Sequence, residues 1–479
     1  MGIFTRLFER LNGVFGATAS DIGREFNVKL ISSPQMQSAL TQWDSISTGK
    51  PPWVSDENHV KTVNMAKFIA DTRAKLTTLD IGIAVSGDNA RSAFLQEIAD
   101  DLIKRLPERL CEADRLGGMM IRFNGQSWDF VLPGYFGVTE VDSNKDITGA
   151  IFAVQAVEGS NTYTRLEYHR FEDVEGETLY RVSNKVYRNG TDMNGNTTLG
   201  TPVPLETVKI WRHLQPETYI RGLDKPLFAY YRVPGSNTID STSPLGMSIF
   251  ANAITELRSI DVGISRKDTE IEDSQHITFI GQTIQRSADR RNFKLPRFVQ
   301  QLGVGIDDSS NSSIKEHVAT LLTEQRLRDI NFDLSMAGVK CGFSEGVFVL
   351  DGQRGMVTAT QIESDDRDTI QTIKDDRDAL QTAIEQAIEG ADKIATLMQL
   401  APLGAYELSF AFGDITYSYE EDKANWRLYA MQGWVPKWLY FVKFEKMSED
   451  DAKKMIAEAQ AADMELQLFQ QQLSNAGGE

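Results

Sequence analysis

The sequence has few residues that bind metals or form disulfides. Its two cysteines, Cys111 and Cys341, lie far apart among 479 residues and match no disulfide framework and no metal-ligand spacing, so we expect two reduced thiols. Scattered single histidines more often serve as surface or hydrogen-bonded structural residues than as ligands. The five histidines follow that distribution: His59, His169, His213, His276 and His317. The sequence therefore predicts no metal site and no cofactor.

The motifs of several common catalytic classes are also missing. The chain contains no G-x-x-x-x-G-K-[ST] loop, no G-x-G-x-x-G after a strand, no H-E-x-x-H and no G-x-S-x-G. These patterns supply a phosphate cradle, a catalytic zinc or a nucleophilic serine. Nucleotide hydrolysis and serine esterase chemistry therefore lose their usual residues, and we expect a protein that is not an enzyme.

Basic residues are outnumbered by acidic ones. Fifty lysines and arginines stand against 68 acidic residues, which gives a formal net charge of -18. Tight binding to nucleic acid relies on clustered basic residues that release counterions from the phosphates. We therefore expect any contact with DNA to be weak and independent of its sequence.

The sequence also lacks long apolar runs. No stretch reaches the roughly 18 apolar residues of a membrane span. The opening MGIFTRLFERLNGVFG lacks the cleavage site of a signal peptide and instead has the spacing of an amphipathic helix. The expectation is a protein that assembles in the cytoplasm and does not enter a membrane.

The periodic patterns predict an α+β protein that is mainly helical. Helical spacing dominates residues 55–112, and short strands with Gly and Asn-Gly turns predict an antiparallel β region over 117–212. A long helix is predicted from Ser243 as its cap through residue 272, with Pro244 at its first position. The later elements are predicted as a strand in HITFIGQTIQ, a helix from Ile314 to Ala337, a Gly-rich strand-like connection over 342–360, a long helix from Gln361, a strand in YELSFAFGDIT and helices from Glu420 onward.

An acidic near-repeat stands on the long helix predicted after residue 360. The tetrapeptide DDRD occurs at Asp365–Asp368 and again ten residues later, at Asp375–Asp378. Ten residues are close to three helical turns, so the two copies recur on similar faces, whereas metal sites for phosphoryl transfer usually draw ligands from several elements. We interpret the carboxylates as a solvated or pore-facing acidic surface more readily than as a metal site: Asp365, Asp366, Asp375 and Asp376.

Three segments occur in the same order as in a known family. They are SPLGMSIFANAITELRSID at 243–261, GFSEGVFVLDGQRGMVTATQIESDDRDTIQTI at 342–373 and SYEEDKANWRLYAMQGWVPKW at 418–438. With the order of elements around them, they resemble the portal proteins of tailed bacteriophages over nearly the full length. The likeness is to the subgroup from siphoviruses of Gram-positive hosts.

The resemblance implies the portal fold, in which wing, stem, clip and crown assemble into a ring, typically of twelve copies, with a central channel. The implied regions are a wing over 1–243 with its β-rich part at 117–212, a first stem helix over 244–272, a clip over 273–313, a second stem helix over 314–340, a tunnel loop region over 341–360, a long bent helix and final wing strand over 361–419, and a helical crown over 420–479.

The resemblance also implies a location and partners. The ring would stand at one vertex of the virion capsid, where double-stranded DNA is packaged and ejected. It would contact the major capsid protein and scaffold, and it would dock the large terminase subunit and then a head-tail adaptor.

Two groups of residues are carried over as candidate sites. Glycines give the tunnel loop backbone freedom beside two polar residues: Gly346, Gly352, Gln353, Arg354 and Gly355. Basic residues of the clip could contact acidic surfaces of the motor or adaptor, or could belong to an ordinary solvated loop: Arg286, Arg290, Arg291, Lys294 and Arg297.

Two alternatives stay open at this point. One is another ring-forming virion protein without a DNA-sized bore. The other is an enzyme that acts on polar polymers through the carboxylates of 365–378.

Overall fold

The computed structural model describes residues 23, 25–31, 33–54, 59–191, 197–273, 277–280, 299–301, 314–317, 322–349, 367–413, 419–432, 435–445, 447–449 and 451–457. The chain divides into two compact units, Met1–Gly413 and Asp414–Glu479. Helix (45%) exceeds strand (24%), which agrees with the expected α+β class. The region boundaries implied by the resemblance stay predictions.

The described helices are α1 (Pro34–Ser47), α2 (Met65–Thr77), α3 (Ala90–Leu116), α4 (Ile254–Asp273), α5 (Thr323–Lys340), α6 (Arg367–Leu397), α7 (Tyr419–Gln432) and α8 (Lys437–Glu445). The strands are β1 (Gly82–Ser86), β2 (Gly118–Phe123), β3 (Trp128–Val131), β4 (Phe136–Val141), β5 (Ile147–Glu158), β6 (Asn161–Val174), β7 (Glu177–Thr191), β8 (Thr197–Val203), β9 (Glu217–Ile220), β10 (Ala229–Arg232), β11 (Ile277–Ile280), β12 (Val299–Gln301), β13 (Ile314–His317) and β14 (Glu407–Ala411). Among the helices described, none is both long enough and apolar enough to cross a membrane.

An antiparallel sheet follows the first helices. Its strands run in the order β4-β5-β6-β7-β8, and β9 also pairs with β7. The long strands β5, β6 and β7 are joined by two-residue turns, as their registers show. The antiparallel β region predicted over 117–212 is therefore confirmed, and it continues into β9 and β10. A second small sheet has the order β10-β2-β3, and a third joins β1 to β14.

Helix α3 lies at the centre of the core of the first unit. It begins where the side-chain oxygen of Asn89 accepts a hydrogen bond from the backbone N–H of Ser92 at 3.0 Å, and it ends at Gly117. Its buried leucines and isoleucine recur at helical spacing: Leu95, Ile98, Leu102, Leu106 and Leu110. The helix predicted in FLQEIADDLIKRLPERLCEADRL is confirmed, because this face is buried against α2, β1 and β2.

Helix α6 packs against β2 and β10 of the small sheet. Its buried isoleucines and leucine keep the period that the sequence predicts, and they are Ile373, Leu380, Ile384, Ile388 and Ile394. At Gly390 the helix passes the backbone of Leu227, and an added Cβ would lie 3.4 Å from the carbonyl oxygen of that residue. The helix and the chain before β10 are therefore in close contact.

A buried polar network joins the large sheet to that same segment. The hydroxyl of Tyr180 accepts from the N–H of Leu227 at 3.1 Å and lies 2.9 Å from Nδ1 of His169. The other ring nitrogen lies 2.7 Å from Glu167. Burial lowers the pKa of His169, which favours a neutral ring that donates to Glu167 and accepts from Tyr180. His169 is thus a satisfied structural histidine, as its sequence context predicts.

Two predicted helix starts are wrong. The helix that was predicted to follow Ser243 is α4, which begins at Ile254 after a 3-10 turn at Ala251–Ala253. Residues before it bond elsewhere: the N–H of Ile249 donates to the carbonyl of Asp114 at 3.0 Å, and that of Gly246 donates to the Tyr230 hydroxyl at 3.3 Å. These tertiary bonds replace the intrahelical ones.

The second wrong start is that of the helix predicted from Ile314. Residues Ile314–His317 form β13, because they pair with β11 in a small sheet that also contains β12. Helix α5 begins at Thr323 and runs past Gly338 to Lys340. Among the described elements, those without a counterpart in the prediction are α1, β1, β9, β10 and β12. Strand β1 lies inside the stretch expected to be mainly helical.

Substituting the glycine at the end of α3 tests the close packing there. Gly117 has φ +89°, and an added Cβ would lie 2.4 Å from the carbonyl oxygen of Gly246. Gly134 has φ +97°, and no atom of the described part of the chain lies within 4 Å of a Cβ added there. We expect Gly134→Ala to cost about 1–2 kcal/mol from backbone strain, and Gly117→Ala to cost about 1–3 kcal/mol more from the clash. Urea denaturation of both variants measures the difference, and equal losses would contradict the packing described.

Candidate functional site

Helices α4 and α5 lie side by side and form the first part of the candidate site. On α4 the buried residues include Leu257, Ile260 and Asp261, and the neighbouring Gly263 lets α5 approach. A Cβ added to Gly263 would lie 3.0 Å from the Ile330 side chain. The absence of a side chain at Gly263 therefore allows the two helices to pack closely.

Ion pairs connect the two helices near both ends. Glu256 of α4 accepts from Lys340 of α5 at 2.6 Å. At the other end Glu270 accepts from the N–H of Leu322 at 2.6 Å and pairs with Arg326. The bond from the Leu322 N–H, followed by that from Arg326, lowers the pKa of Glu270. The pair of helices is thus tied together along its length by groups that are separated by 52 to 84 positions in the chain.

The segment before α2 is bound to α4 through one buried carboxylate. Asp261 accepts from the indole N–H of Trp53 and from the N–H of Val63, both at 2.9 Å. One turn later the Ser265 hydroxyl accepts from the N–H of Lys61 at 2.9 Å. These bonds satisfy the buried polar groups of α4 and fix its position against the first helical elements.

A groove of about 680 Å³ lies between α4, α5 and this segment. Trp53 and His59 line one side, and the two helices contribute arginines and aspartates: Arg258, Arg266, Arg326, Asp329 and Asp333. Burial, with help from Glu256 and Asp329, raises the pKa of Asp333. In the described part of the chain, no group of three or more histidine, cysteine, aspartate or glutamate side chains is arranged to hold a metal.

Ser344, after α5, and Thr369, in α6, are hydrogen-bonded to each other. The N–H of Ser344 donates to the Thr369 hydroxyl at 2.8 Å, and the N–H of Thr369 donates to the Ser344 hydroxyl at 3.3 Å. Both residues are buried. These bonds hold together the two ends of segment 345–368. We call this segment the excursion, and we call the bonded pair Ser344 and Thr369 its base.

Aromatic packing supports the same base. Phe343 and Phe348 contact each other edge to face with centroids 4.9 Å apart, and Phe348 also contacts Phe68 of α2 at 5.9 Å. The N–H of Phe343 donates to the carbonyl of Gly338 at 3.0 Å. Residues 341–349 therefore form turns on the end of α5, and the strand-like connection predicted from the sequence is wrong in this described part.

A buried ion pair lies behind the base of the excursion. Arg73 of α2 donates to both carboxylate oxygens of Asp376 of α6, at 2.6 and 2.7 Å, and donates to the carbonyl of Cys341 at 2.9 Å. Hydrogen bonding to Asp376 raises the pKa of Arg73 despite its burial. This ion pair joins α2, α6 and the end of α5.

The acidic residues of the near-repeat divide between two environments. Asp375 is exposed and accepts from Gln371 at 2.8 Å, whereas Asp376 is 1% exposed. The interpretation of Asp376 as part of a solvated or pore-facing face is therefore wrong, because its carboxylate is paired with Arg73. Arg377 is also buried and donates to the carbonyls of Leu76, Thr77 and Gly413.

Most other predicted site residues fall outside the described residues. Gly346 is described and has φ +85°, and no atom of the described residues lies within 4 Å of an added Cβ. The remaining candidates of the tunnel loop, the first acidic pair and the clip are outside: Gly352, Gln353, Arg354, Gly355, Asp365, Asp366, Arg286, Arg290, Arg291, Lys294 and Arg297.

The sequence pattern does not reveal three buried charged residues that bond to distant parts of the chain. Arg73, Asp114 and Asp261 occur in ordinary amphipathic helices, and nothing in their local pattern distinguishes them from surface charges. Their helical positions beside apolar residues are the one available signal. Cys111 and Cys341 are free thiols, as the sequence predicts.

No protein-family model matches the chain, and no curated protein matches it.

Replacing the first two aspartates of the second DDRD, one at a time, separates the two environments. We expect Asp376→Asn to lower the free energy of unfolding by about 3–5 kcal/mol, because it leaves the buried Arg73 without its charged partner. Asp375→Asn makes the same chemical change at an exposed position and should stay within about 0.5 kcal/mol of the wild type. Denaturation in urea measures both, and losses of similar size would contradict the paired, buried state of Asp376.

Proposed function

We propose that this chain is the subunit of a tailed-bacteriophage portal, a ring at one vertex of the capsid through which double-stranded DNA passes during packaging and ejection. In this proposal the chain holds and guides the duplex, and a separate terminase motor hydrolyses ATP. The proposal includes the wing, stem, clip and crown regions with the boundaries that the resemblance implies.

The observation that carries the proposal is the arrangement around α4 and α5. Two paired helices are separated in sequence by a small sheet of β11, β12 and β13, and they are followed by the excursion and then by the 31-residue helix α6. This order is the one expected for a first stem helix, a clip, a second stem helix, a tunnel loop and the long helix behind it.

The exposed face of α5 gives further support. Phe332 is 66% exposed and Val339, two helical turns later on the same face, is 47% exposed. Large apolar side chains on an exposed helix face suit contact with another protein surface. A ring closes through head-to-tail contacts between different surfaces of neighbouring subunits, and a stem helix is a suitable place for such a contact.

The charge balance is compatible with a sliding duplex. Each phosphate held by a basic side chain would have to be released as the DNA moves, so a channel benefits from weak, sequence-independent contacts. The formal net charge of -18 suits this requirement. The proposed partners are further copies of this chain, the DNA, the large terminase subunit, the major capsid protein with its scaffold, and a head-tail adaptor.

The oligomeric state of the purified chain tests the proposal. Native mass spectrometry with negative-stain electron microscopy should show closed rings, typically of twelve subunits, with a central hole wide enough for a duplex. A monomer or dimer at concentrations that permit assembly would contradict the proposal. Rings without such a hole would favour another structural protein of the virion.

A pair of surface variants locates the contact between subunits. We expect Phe332→Asp to reduce ring formation at least tenfold, equivalent to about 1.4 kcal/mol per contact, because it places a charge on the proposed interface. Val157→Asp makes the same kind of change at a 73% exposed position of β5 and should leave the rings intact. Since both side chains are exposed in the single chain, neither variant should unfold it. Intact rings for Phe332→Asp would remove α5 from the interface.

A further inference from the structure

Two buried carboxylates share one guanidinium behind the base of the excursion. Three of the N–H groups of Arg73 are used by the two oxygens of Asp376 and by the Cys341 carbonyl. Asp114 of α3 is 1% exposed and lies beside this ion pair, but it receives none of those bonds. Within the described residues, its Oδ1 accepts from the Tyr231 hydroxyl at 3.4 Å, and its Oδ2 has no hydrogen-bond partner.

The groups facing Asp114 come from three other elements. They are Arg73 on α2, Tyr231 on β10 and Asp376 on α6. On its own helix, Arg115 follows Asp114 directly, and Cys111 stands three positions before it with a thiol that donates to Asp71 at 2.6 Å. If both aspartates were ionised, this interior would hold two negative charges and one positive charge.

We propose that Asp114 carries a proton while Ser344 and Thr369 are hydrogen-bonded to each other, which we call the closed state. Loss of this proton releases the hold of Arg73 on the Cys341 carbonyl. The base of the excursion is thereby loosened. Asp114 is then a positioning residue that acts through Arg73. The inference goes beyond the portal proposal and does not require a ring, because every group involved belongs to one chain.

The order in which the bonds break follows from their strengths. Bonds from a guanidinium to a carboxylate are charge-assisted and are roughly twice as strong as neutral ones. An ionised Asp114 competes with Asp376 for Arg73, and the bond to the neutral Cys341 carbonyl is the weakest of the three that Arg73 makes. That carbonyl is three residues before Ser344, whose bonds with Thr369 close the base.

The titration of Asp114 has a definite sign. Burial, followed by the charge of Asp376, raises the pKa of Asp114 well above its ordinary value. A carboxyl group with a raised pKa in the closed state stabilises that state fully below the pKa of the open state, and the stabilisation is lost as the pH rises through the closed-state pKa. The base is therefore tightest at acid pH, below the open-state pKa, and loosens as the pH rises toward the closed-state pKa.

Hydrogen exchange of the full-length protein measures the loosening directly. The reporters are the amides of Cys341–Ser344, corrected for intrinsic exchange rates and compared with amides at the centre of α3. In the wild type, the opening equilibrium of the reporters should rise about tenfold per pH unit between the open-state and the closed-state pKa of Asp114. Above the closed-state pKa it should level off. In Asp114→Asn, which keeps the shape of a neutral acid, it should not depend on pH.

Three results would overturn the proposal. They are a wild-type opening equilibrium that does not change between about pH 5 and 9, an equally steep pH dependence in Asp114→Asn, and a change of the same size in the α3 reference amides. If Asp114→Asn fails to fold, the wild type alone decides. Its infrared band for a protonated carboxyl group must then disappear around the pH at which the opening equilibrium levels off, because both mark the pKa of Asp114 in the closed state. None of these outcomes depends on whether rings form.

Discussion

The ion pair between Arg73 and Asp376 is the contact on which the arrangement around the excursion depends. Its two partners are 303 positions apart, and both are almost fully buried. The same guanidinium also binds the Cys341 carbonyl, so one side chain connects α2, α6 and the end of α5. Charges this deeply buried are costly unless they are paired and hydrogen-bonded, and the three short bonds of Arg73 meet that condition.

Other buried polar groups repeat this principle elsewhere in the first unit. Asp261 binds the segment before α2 through Trp53 and Val63, and the Glu167–His169–Tyr180 network connects the large sheet to Leu227. Each network joins elements that are far apart in sequence. Apolar burial supplies the bulk of the driving force for folding, whereas these directional bonds specify which elements meet.

The sequence predicts those features that depend on local patterns. The apolar period of α3 and α6 and the alternation in the β region are properties of neighbouring residues, and the structure agrees with them. The start of α4 could not be predicted, because the N–H groups of Gly246 and Ile249 bond to residues more than ten positions away. The strand Ile314–His317 likewise depends on its pairing with β11. The partner of Asp376 lies on a different helix, so its burial was invisible in the DDRD pattern.

Together these contacts give the chain a firm base from which the excursion leaves and to which it returns. In the proposed portal function, residues 341–360 belong to the loop that narrows the tunnel, and residues from 361 onward belong to the long helix behind it. The pH-dependent proton on Asp114 would adjust the stiffness of that base.

A reconstruction of the assembled protein by cryo-electron microscopy tests the portal proposal most directly. The portal proposal predicts a closed ring in which α4 and α5 surround a channel wide enough for a DNA duplex. A closed ring in which α4 and α5 lie on the outer surface, or the absence of any ring, would contradict it.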